Sequence, residues 1–511
     1  MNIVTPEQMR ILEEESEKLG VSKKELMKNA GIKLAEVIRG HCSKDRKKKI
    51  VFLIGTGNNG GDCYVAAGIL ASMGYKNIST VLVCGMPKTE LSQEMYSRIS
   101  ERININEDYQ SYISEADVLV DGVFGTGFHG ELSRKVAYIF GLNEKAYKIA
   151  VDIPSGADSR TGKVSDGTFR ADETVTFGCM KTGMTQYPLK DFCGKITVAD
   201  IGIPKDAFAF LENQRKYTVS DIRQLLGFPP VRRSDSHKGT FGKVLVIAGS
   251  SLMRGAAFFS VMGALRSGAG LVSLVTVGKC IDTVSVLAPE STFIEVPNDK
   301  DGFMCFDKEK IISALERVDS VVIGCGIGVT PETIEMTKFV VENSEVPVIV
   351  DADGINCIAS DIDILLKKKT DIILTPHTAE MSRLLKCGVD EVSADRFDTA
   401  EKLAEKYDIT VVLKGAGTVI ADKNRTSVNP TGNAGMSVGG SGDILAGITG
   451  AVVGQGYSAF ESACASVYIH GLAGDITAEK LGQEAMLPRD ILGCLSDSFG
   501  ILKEKHKNSG D

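Results

Sequence analysis

The sequence contains a glycine-rich segment, GTGNNGGD at 55–62, whose residue types suit phosphate binding. It follows an apolar run and precedes a helical pattern. Its glycines allow the backbone to approach a phosphate, and the N-terminus of the next helix provides free amides and a positive dipole. A plain tight turn between a strand and a helix is the alternative. Asn58, Asn59 and Asp62 add side-chain oxygens that a plain turn does not need.

A second segment, NPTGNAGMSVGGSGD at 429–443, suits phosphoryl transfer. It holds five glycines between Gly432 and Gly442, although each ordered glycine costs roughly 0.5–1 kcal/mol. Glycine amides at a helix start form an anion hole for a transferring phosphoryl group. Asp443, at the end of the segment, is placed to accept a proton from an attacking hydroxyl. The alternative is a glycine-rich loop with a helix-capping aspartate.

Three aspartates follow apolar runs that we predict to be parallel strands: Asp121, Asp152 and Asp200. The carboxyl ends of parallel strands face one crevice, where ligands bind. Asn59, Asp121 and Ser155 thus offer oxygen ligands for a cation. One carboxylate with neutral oxygens suits a large monovalent ion, and potassium is the prediction. Helix capping and mutual hydrogen bonding are the alternative.

Polar residues also follow predicted strands in the second half of the chain. Lys414 can neutralise nucleotide phosphate there. His377 follows a strand beside a proline, which favours a functional role over the alternative of a buried structural histidine.

Composition excludes several classes of protein. The 511 residues carry a net charge of -8, which disfavours nucleic-acid binding. Twelve cysteines without CxxC or CxC spacing are typical of a reducing cytosol. The N-terminus lacks an apolar targeting segment, and no apolar run is long enough to span a membrane. We therefore predict a cytoplasmic protein that binds neither nucleic acid nor membranes.

The pattern of elements indicates two α/β domains. Two helices are predicted over 5–40, and a linker near 205–235, with a short helix at 217–226, divides the domains. The predicted strands of the first half are 50–54, 79–84, 117–120, 148–152 and 196–200. Those of the second half are 243–248, 271–276, 319–323, 346–351, 371–374 and 409–413, with helices at 441–453 and 459–479.

Residues 1–215 resemble the NAD(P)H-hydrate epimerase domain, which has a Rossmann-like three-layer fold. The matching motifs are LMKNAG (26–31), GTGNNGGD, DGVFGTGFHG (121–130) and DIPSG (152–156). The resemblance implies a potassium ion at Asn59, Asp121 and Ser155, and a catalytic Asp152. It also implies a hydrated dinucleotide at Asn58, Asn59, Gly60, Gly61, Asp62, Gly125, Thr126, Gly127, Phe128, His129, Gly130, Glu131 and Asp152.

Residues 225–505 resemble the ribokinase-like ADP/ATP-dependent NAD(P)H-hydrate dehydratase. The motifs include HKGTFGKVLVIAGS (237–250), GCGIG (324–328), LTPHTAEM (374–381), KGAGT (414–418) and the NPTGN and GGSGD pair. The resemblance implies substrate contacts from Ala256, Gly326, His377 and the catalytic Asp443. It implies nucleotide contacts from Lys414, Gly415, Ala416, Gly417, Thr418, Asn433, Gly439, Gly440, Ser441 and Gly442.

Together the halves resemble the bifunctional NAD(P)H-hydrate repair enzymes. The resemblance implies interconversion of R and S hydrates of NADH or NADPH in the first half. In the second half it implies dehydration of the S-hydrate through a phosphorylated intermediate, with ADP or ATP as donor and Mg2+. A homo-oligomer is also expected. Two alternatives remain: a kinase of a thiazole or pyrimidine vitamin type, and a first half that only binds a ligand.

Overall fold

The computed structural model describes residues 2–43, 45–99, 104–105, 109–221 and 232–508. The chain forms two compact units, Asn2–Tyr217 and Thr218–Asp511. Strand β10, Lys216–Val219, contains the point of division. Among the described residues, no helix has both the length and the apolar character needed to cross a bilayer.

The N-terminal unit is built on a seven-stranded parallel sheet with the order β4-β3-β2-β5-β6-β7-β9. The strands of this sheet are β2 Ile50–Ile54, β3 Ile78–Leu82, β4 Asn104–Ile105, β5 Val118–Gly122, β6 Tyr147–Val151, β7 Glu173–Phe177 and β9 Lys195–Ala199. Two further strands of the unit, β1 Asn2–Val4 and β8 Met180–Lys181, lie outside it. The helices are α1 Pro6–Lys18, α2 Lys23–His41, α3 Asn58–Ser72, α4 Glu90–Ile99, α5 Tyr109–Ser114, α6 Arg134–Phe140 and α7 Leu189–Phe192, with 3-10 segments at Thr182–Thr185 and Lys205–Asn213.

Two hydrophobic cores cover the two faces of this sheet. Phe52 of β2 packs in one core with residues of α2 and α3. Leu53, the next residue, packs in the other core with residues of α6. Because successive strand residues point to opposite faces, a run such as β2 that is buried throughout needs a helix layer on each side. The result is a three-layer α/β unit.

The two predicted N-terminal helices are present, and side-chain caps fix where each begins. Thr5 accepts a hydrogen bond from the Gln8 amide, and the Gln8 side chain accepts one from the Thr5 amide. Pro6 follows at the first helical position, where its missing N–H costs nothing. Ser22 caps α2 by accepting from the amide of Glu25.

The C-terminal unit contains a second sheet with the order β13-β12-β11-β14-β15-β16-β17-β18-β19, parallel up to β17 and antiparallel from there to β19. The strands are β11 Lys243–Ile247, β12 Leu271–Thr276, β13 Thr292–Glu295, β14 Ser320–Ile323, β15 Val348–Val350, β16 Ile372–Leu374, β17 Thr410–Leu413, β18 Val419–Ala421 and β19 Arg425–Val428. The helices are α8 Arg254–Arg266, α9 Gly278–Leu287, α10 Lys308–Leu315, α11 Pro331–Asn343, α12 Asp353–Ile358, α13 Thr378–Leu385, α14 Val389–Ala394, α15 Arg396–Tyr407, α16 Ser441–Gly454, α17 Ala459–Leu481 and α18 Pro488–Asn508. Segments of 3-10 helix span Lys238–Phe241, Ala359–Lys367 and Ala434–Met436.

Helix α16 is the buried helix of this unit, and it begins at the GGSGD motif. Its residues from Ile444 to Val453 are all buried. Gly263 of α8 and Gly447 of α16 let the two backbones approach closely. A Cβ on Gly447 would lie 2.0 Å from the Ser260 carbonyl oxygen, and one on Gly263 would lie 2.4 Å from that of Ile444. This packing fixes the start of α16.

Several elements differ from the sequence prediction. Strands β7, β13 and the β18–β19 hairpin were not predicted. The helix predicted over 217–226 is wrong at its start, because Lys216–Val219 is a strand. The rest of that prediction, at 222–226, lies outside the described residues.

Candidate active sites

A pocket opens at the carboxyl edge of the N-terminal sheet. It brings together six of the predicted residues: Asn58, Asn59, Asp62, Gly125, Thr126 and Asp152. They come from the start of α3 and from the loops after β5 and β6. Side chains from α1, α2 and β8 complete the lining, among them Glu13, Met27 and Lys181. The predicted convergence of strand ends is thus present.

Asp152 is held in this pocket by a buried lysine. The Lys181 ammonium, only 1% exposed, donates to the Asp152 carboxylate. Thr176 Oγ1 and the Phe177 amide also donate to it, at 3.1 Å and 3.2 Å. Asp152 has φ 65°, a left-handed conformation that is costly for a residue with a Cβ. The fold therefore fixes one carboxylate in a strained conformation at the pocket wall.

Two further carboxyl groups face the same pocket. Burial raises the pKa of Asp62 well above its usual value, and the like charges of Asp152 and Glu13 add to the shift. Burial and Asp152 likewise raise the pKa of Glu13. Sequence analysis missed Glu13 and Lys181. A lysine within the apolar stretch VTFGCMK was a usable signal for Lys181, whereas Glu13 lies in an acidic run without distinguishing features.

The three predicted cation ligands lie together at the carboxyl edge of the sheet, and Asn59 also lines the pocket. Ser155 Oγ donates to Asp121 Oδ1 at 2.7 Å, and the Ser155 amide donates to Asp121 Oδ2 at 2.8 Å. Asn59 Nδ2 donates to the Phe124 carbonyl at 3.0 Å, and the Phe124 amide donates to Ser155 Oγ at 2.8 Å. Asp121 is fully buried, which raises its pKa to about 6 against the hydrogen bonds that lower it.

Other predicted residues of this half are not part of the pocket lining. His129 is largely exposed and its Nδ1 lies 3.0 Å from Asp158 Oδ2, while Glu131 accepts from Ser165 Oγ at 2.7 Å. Gly60 and Gly61 are needed for close packing. A Cβ on Gly60 would lie 2.6 Å from the Gly55 carbonyl oxygen, and a Cβ on Gly61 would lie 2.6 Å from Met27 Cε. The remaining predicted residues outside the lining are Gly127, Phe128 and Gly130.

In the C-terminal unit, Asp443 lies in a cluster of buried polar groups. Ligand atoms of Cys325, Asp351 and Asp443 all lie within 4.8 Å of one another. Lys414 Nζ donates to Asp351 Oδ1 at 2.6 Å and lies 3.9 Å from Glu380 Oε2. Lys414 also lies beside the first turn of α16, because a Cβ on Gly442 would be 3.3 Å from its Nζ. The structure thus places Lys414 next to Asp443.

Burial governs the protonation of this cluster. It raises the pKa of Asp443 to about 6, and the negative charge of Asp351 contributes. Burial alone would lower the pKa of Lys414, but Asp351 and Glu380 outweigh it and the pKa is raised. The site therefore pairs a carboxylate that titrates near neutrality with a lysine that stays charged, a suitable arrangement for a general base beside an anion.

His377 forms the cap of α13 at the edge of this cluster. Its Nδ1 accepts from the amides of Ala379 and Glu380, at 3.1 Å and 3.3 Å. Its side chain is 49% exposed, so the alternative of a buried histidine is wrong.

The glycine-rich segments around the cluster are held by specific side chains. Gly440 has φ +103° and turns the chain into α16. It also packs closely against Phe259, because a Cβ at this position would lie 2.7 Å from the ring. The first helical amides that follow lack intrahelical acceptors, as in any helix. Asp475 accepts from the Gly432 amide and from Asn433 Nδ2, both at 2.9 Å. These contacts fix the loop in front of the helix start.

The KGAGT turn is organised by a half-buried arginine, Arg396, that sequence analysis missed. Arg396 donates to the carbonyls of Leu413, Ala416 and Gly417, at 2.9, 2.6 and 3.2 Å. Burial lowers its pKa to about 10. In the same turn, Thr418 Oγ1 donates to the Gly415 carbonyl at 2.9 Å.

Ala256 and Gly326, predicted together, are in contact. A Cβ on Gly326 would lie 2.8 Å from the Ala256 Cβ, and Gly326 has φ +68°. Gly439 and Ser441 flank Gly440 at the start of α16.

The fold and the two sites define a two-part α/β protein, with one polar pocket at the carboxyl edge of a Rossmann-like sheet and one acid–lysine cluster at a glycine-rich helix start. The family model of NAD(P)H-hydrate dehydratase matches residues 244–496, and that of the YjeF-related protein N-terminus matches residues 23–183. The Nnr protein of Moorella thermoacetica, a bifunctional NAD(P)H-hydrate repair enzyme, is 34% identical over 94% of this chain and 93% of its own. Its counterpart in Thermofilum pendens is 35% identical over 99% of this chain and 97% of its own. The chain belongs to the family of bifunctional NAD(P)H-hydrate repair enzymes.

A solved structure of the ADP/ATP-dependent NAD(P)H-hydrate dehydratase from Bacillus subtilis, co-crystallized with ATP/Mg2+, is 27% identical and covers 56% of this chain and 98% of its own, with a TM-score of 0.49. The predicted fold class, a Rossmann-like three-layer unit followed by a ribokinase-like α/β unit, is confirmed, as is the resemblance read from the motifs.

Proposed function

We propose that this chain repairs hydrated NADH and NADPH with two activities. Residues 1–215 interconvert the R and S hydrates, and residues 225–505 dehydrate the S-hydrate at the expense of ADP or ATP. The observation that carries the proposal is the juxtaposition of Asp443 and Lys414 at the start of α16, with Asp351 Oδ1 2.6 Å from the lysine Nζ. Family membership over nearly the whole chain supports both halves.

In the dehydratase, Asp443 accepts the proton of the ring hydroxyl as that oxygen attacks the terminal phosphoryl group of the nucleotide. The free amides of the first turn of α16 and the Lys414 ammonium stabilise the charge on the transferred group. Phosphate leaves more readily than hydroxide, so its elimination restores the ring double bond. The predicted contacts of Ala256, Gly326 and His377 orient the hydrated ring, and the KGAGT turn binds the nucleotide.

The residues of this cluster fit a magnesium ion. Asp351 offers a hard carboxylate within 4.8 Å of Asp443, and Mg2+ binds through one or two carboxylates together with substrate phosphates, so Asp351 would hold the ion while Asp443 stays free as the base. When bound, the ion neutralises phosphate charge.

The epimerase chemistry is proposed for the N-terminal pocket. Asp152, fixed by Lys181, contacts the substrate close to the reacting carbon, and Asn58, Asn59 and Thr126 contact the hydrated dinucleotide. These residues line one pocket at the carboxyl edge of the sheet, which is the usual ligand position in such folds.

Asn59, Asp121 and Ser155 fit a potassium ion. The Asp121 carboxylate is fully buried, and among the described residues no Lys, Arg or His side chain pairs with it. A monovalent cation would balance its charge, and the neighbouring ligands would be neutral oxygens of Ser155, Asn59 and the Phe124 carbonyl. When bound, the ion orders the loops that meet the dinucleotide.

The test uses purified full-length protein with separated R and S hydrates. We expect the absorbance of the dihydronicotinamide to return from S-hydrate only when ADP or ATP is present, with release of free phosphate. R-hydrate should convert to S-hydrate without nucleotide. A stable phosphorylated thiazole or pyrimidine alcohol, with no recovery of NAD(P)H, would favour the vitamin-kinase alternative.

A further inference from the structure

Glu13 is a carboxyl group of the N-terminal pocket that differs from its neighbours on α1. Met9, one turn earlier on the same helix face, lines the same pocket. The adjacent Glu14 and Glu15 point to the surface, where they pair with Arg10 and Lys18. Among the described residues, no hydrogen bond or ion pair engages the Glu13 carboxyl group.

The charges around Glu13 disfavour its ionised form. The pocket holds three carboxyl groups, Glu13, Asp62 and Asp152. The nearest buried cation, Lys181, donates to Asp152. Burial and like charge therefore favour a proton on one of the other two carboxyl groups. The charged groups that act on the Glu13 carboxyl are Asp152, Lys181, Lys23 and Asp62, with a smaller effect from Glu14 at the next position of α1.

Epimerisation of a hydrated dihydronicotinamide needs an acid and a base. Water adds to the enamine double bond at the ring carbon bonded to nitrogen, which makes that carbon a hemiaminal. Inversion there requires the C–O bond to break on one face and a new C–O bond to form on the other. The leaving oxygen must gain a proton, and the incoming water must lose one.

We propose that Glu13 is a second catalytic residue of the epimerase and acts as the acid while Asp152 acts as the base. The inference rests on the proposed epimerase function and adds to it a residue and a division of roles. Glu13 reaches the pocket from α1, and Asp152 reaches it from the end of β6, so the two groups approach the ring from different elements.

The step balances without another reactant. Glu13 donates its proton to the ring hydroxyl, the C–O bond breaks, and the nitrogen lone pair forms the iminium double bond as water leaves. A water molecule then attacks the other face, its electron pair forms the new C–O bond, and Asp152 takes its proton. This sequence describes the conversion of R-hydrate to S-hydrate, and in the reverse direction the two carboxyl groups exchange roles. One proton passes from Glu13 to Asp152 in each turnover and returns through solvent.

The test compares Glu13→Gln with Glu14→Gln in the full chain. Both changes remove one carboxylate from adjacent positions of α1, but only Glu13 lines the pocket. Conversion of R-hydrate to S-hydrate is followed by chromatography across pH. We expect Glu13→Gln to lower kcat by about 10²–10⁴-fold, with KM close to wild type, and to remove the high-pH limb of the kcat profile. Glu14→Gln should keep the rate and both limbs.

The outcomes separate the inference from the proposed function. If the wild-type chain does not interconvert the hydrates, the epimerase function fails and the inference fails with it. If wild type is active and Glu13→Gln keeps its rate, or slows but keeps the high-pH limb, the acid role of Glu13 is wrong. Asp62→Asn is the deciding variant in that case, since loss of the limb there would identify Asp62 as the acid. Thermal melts of both Glu variants report the fold independently of activity.

Discussion

The hydroxyl of Ser155 donates a 2.7 Å hydrogen bond to the carboxylate of Asp121, which is fully buried. The two residues come from loops after different strands, β5 and β6. The sequence predicted that they meet, because both follow strands of a parallel sheet, and in the structure these two strands are neighbours. The hydrogen bonds from Ser155 favour the ionised form of Asp121 but leave its buried negative charge without a counter-charge among the described residues.

That buried charge predicts potassium dependence. Epimerisation should fall when potassium is replaced by tetramethylammonium at equal ionic strength, because the organic cation is too large for the site. Ser155→Ala should raise the potassium concentration needed for half-maximal activity, on the order of 10–100-fold, as other changes around bound metal ions do. Initial rates across a potassium titration measure both effects. Equal rates in the two salts would show that the three side chains only hydrogen-bond to one another.

Asp443→Asn should abolish nucleotide-dependent dehydration. Loss of the general base should lower kcat by about 10²–10⁴-fold. Interconversion of the hydrates, which uses the other unit, should be unchanged and serves as the internal control. In the wild type, dehydration should fall as the pH drops below about 6, because protonated Asp443 cannot accept a proton. Near-normal turnover in the variant would remove Asp443 from this role.

The same substitution should stabilise the C-terminal unit. The pKa of Asp443 is about 6 in the folded protein against 3.8 ordinarily, so the folded state holds its proton more tightly. Wild-type stability therefore declines as the pH rises through this window, by an amount on the order of 3 kcal/mol. Asp443→Asn should unfold at higher denaturant than wild type above pH 6 and show no advantage near pH 4. Equal denaturation midpoints at both pH values would contradict the burial argument.

Arg396→Lys should weaken nucleotide binding with little change in kcat. The guanidinium donates to two carbonyls of the KGAGT turn and to that of Leu413 just before it, and a lysine cannot make all three hydrogen bonds. KM for ADP or ATP should rise, while KM for the hydrate stays near wild type. Steady-state kinetics with each reactant varied in turn separates the two. A change confined to the hydrate KM would show that Arg396 does not act through this turn.

The α/β class could be predicted because most strands are short β-branched runs. Strand β7, Glu173–Phe177, was not predicted, because it begins with the polar residues Glu and Thr. Its polar groups are nevertheless buried and partnered: Thr174 Oγ1 donates to the Cys193 carbonyl at 2.7 Å, and Thr176 donates to Asp152. Those partners come from distant parts of the sequence, so local pattern could not reveal them.

The same dependence on partners that are distant in sequence explains why the sites were only partly predicted. Motif residues such as Asn59 and Asp152 lie at turns whose glycines and position after strands mark them. Lys181 follows the unpredicted strand β7, so its place beside Asp152 depends on tertiary structure. Arg396 opens α15, and nothing in its local sequence indicates that it reaches the KGAGT turn. The missed residues lie on α1, β8 and α15, outside any glycine-rich motif, and only the tertiary structure brings them to the sites.

The ion pair of Lys414 with Asp351 should be both structural and functional. Asp351 is 1% exposed, and Lys414 Nζ lies 2.6 Å from its Oδ1. Lys414→Met leaves a buried carboxylate without its partner and should lower the free energy of unfolding by about 3–5 kcal/mol. The double variant Lys414→Met, Asp351→Asn removes both charges and should recover most of that stability, but not dehydration, because the cation beside the phosphoryl group is still missing and a proposed magnesium ligand is lost as well. Chemical denaturation measures stability, and hydrate turnover measures activity in the same preparations. If the double variant were no more stable than Lys414→Met alone, the cost would lie in lost packing around the lysine, and the ion pair would not be its source.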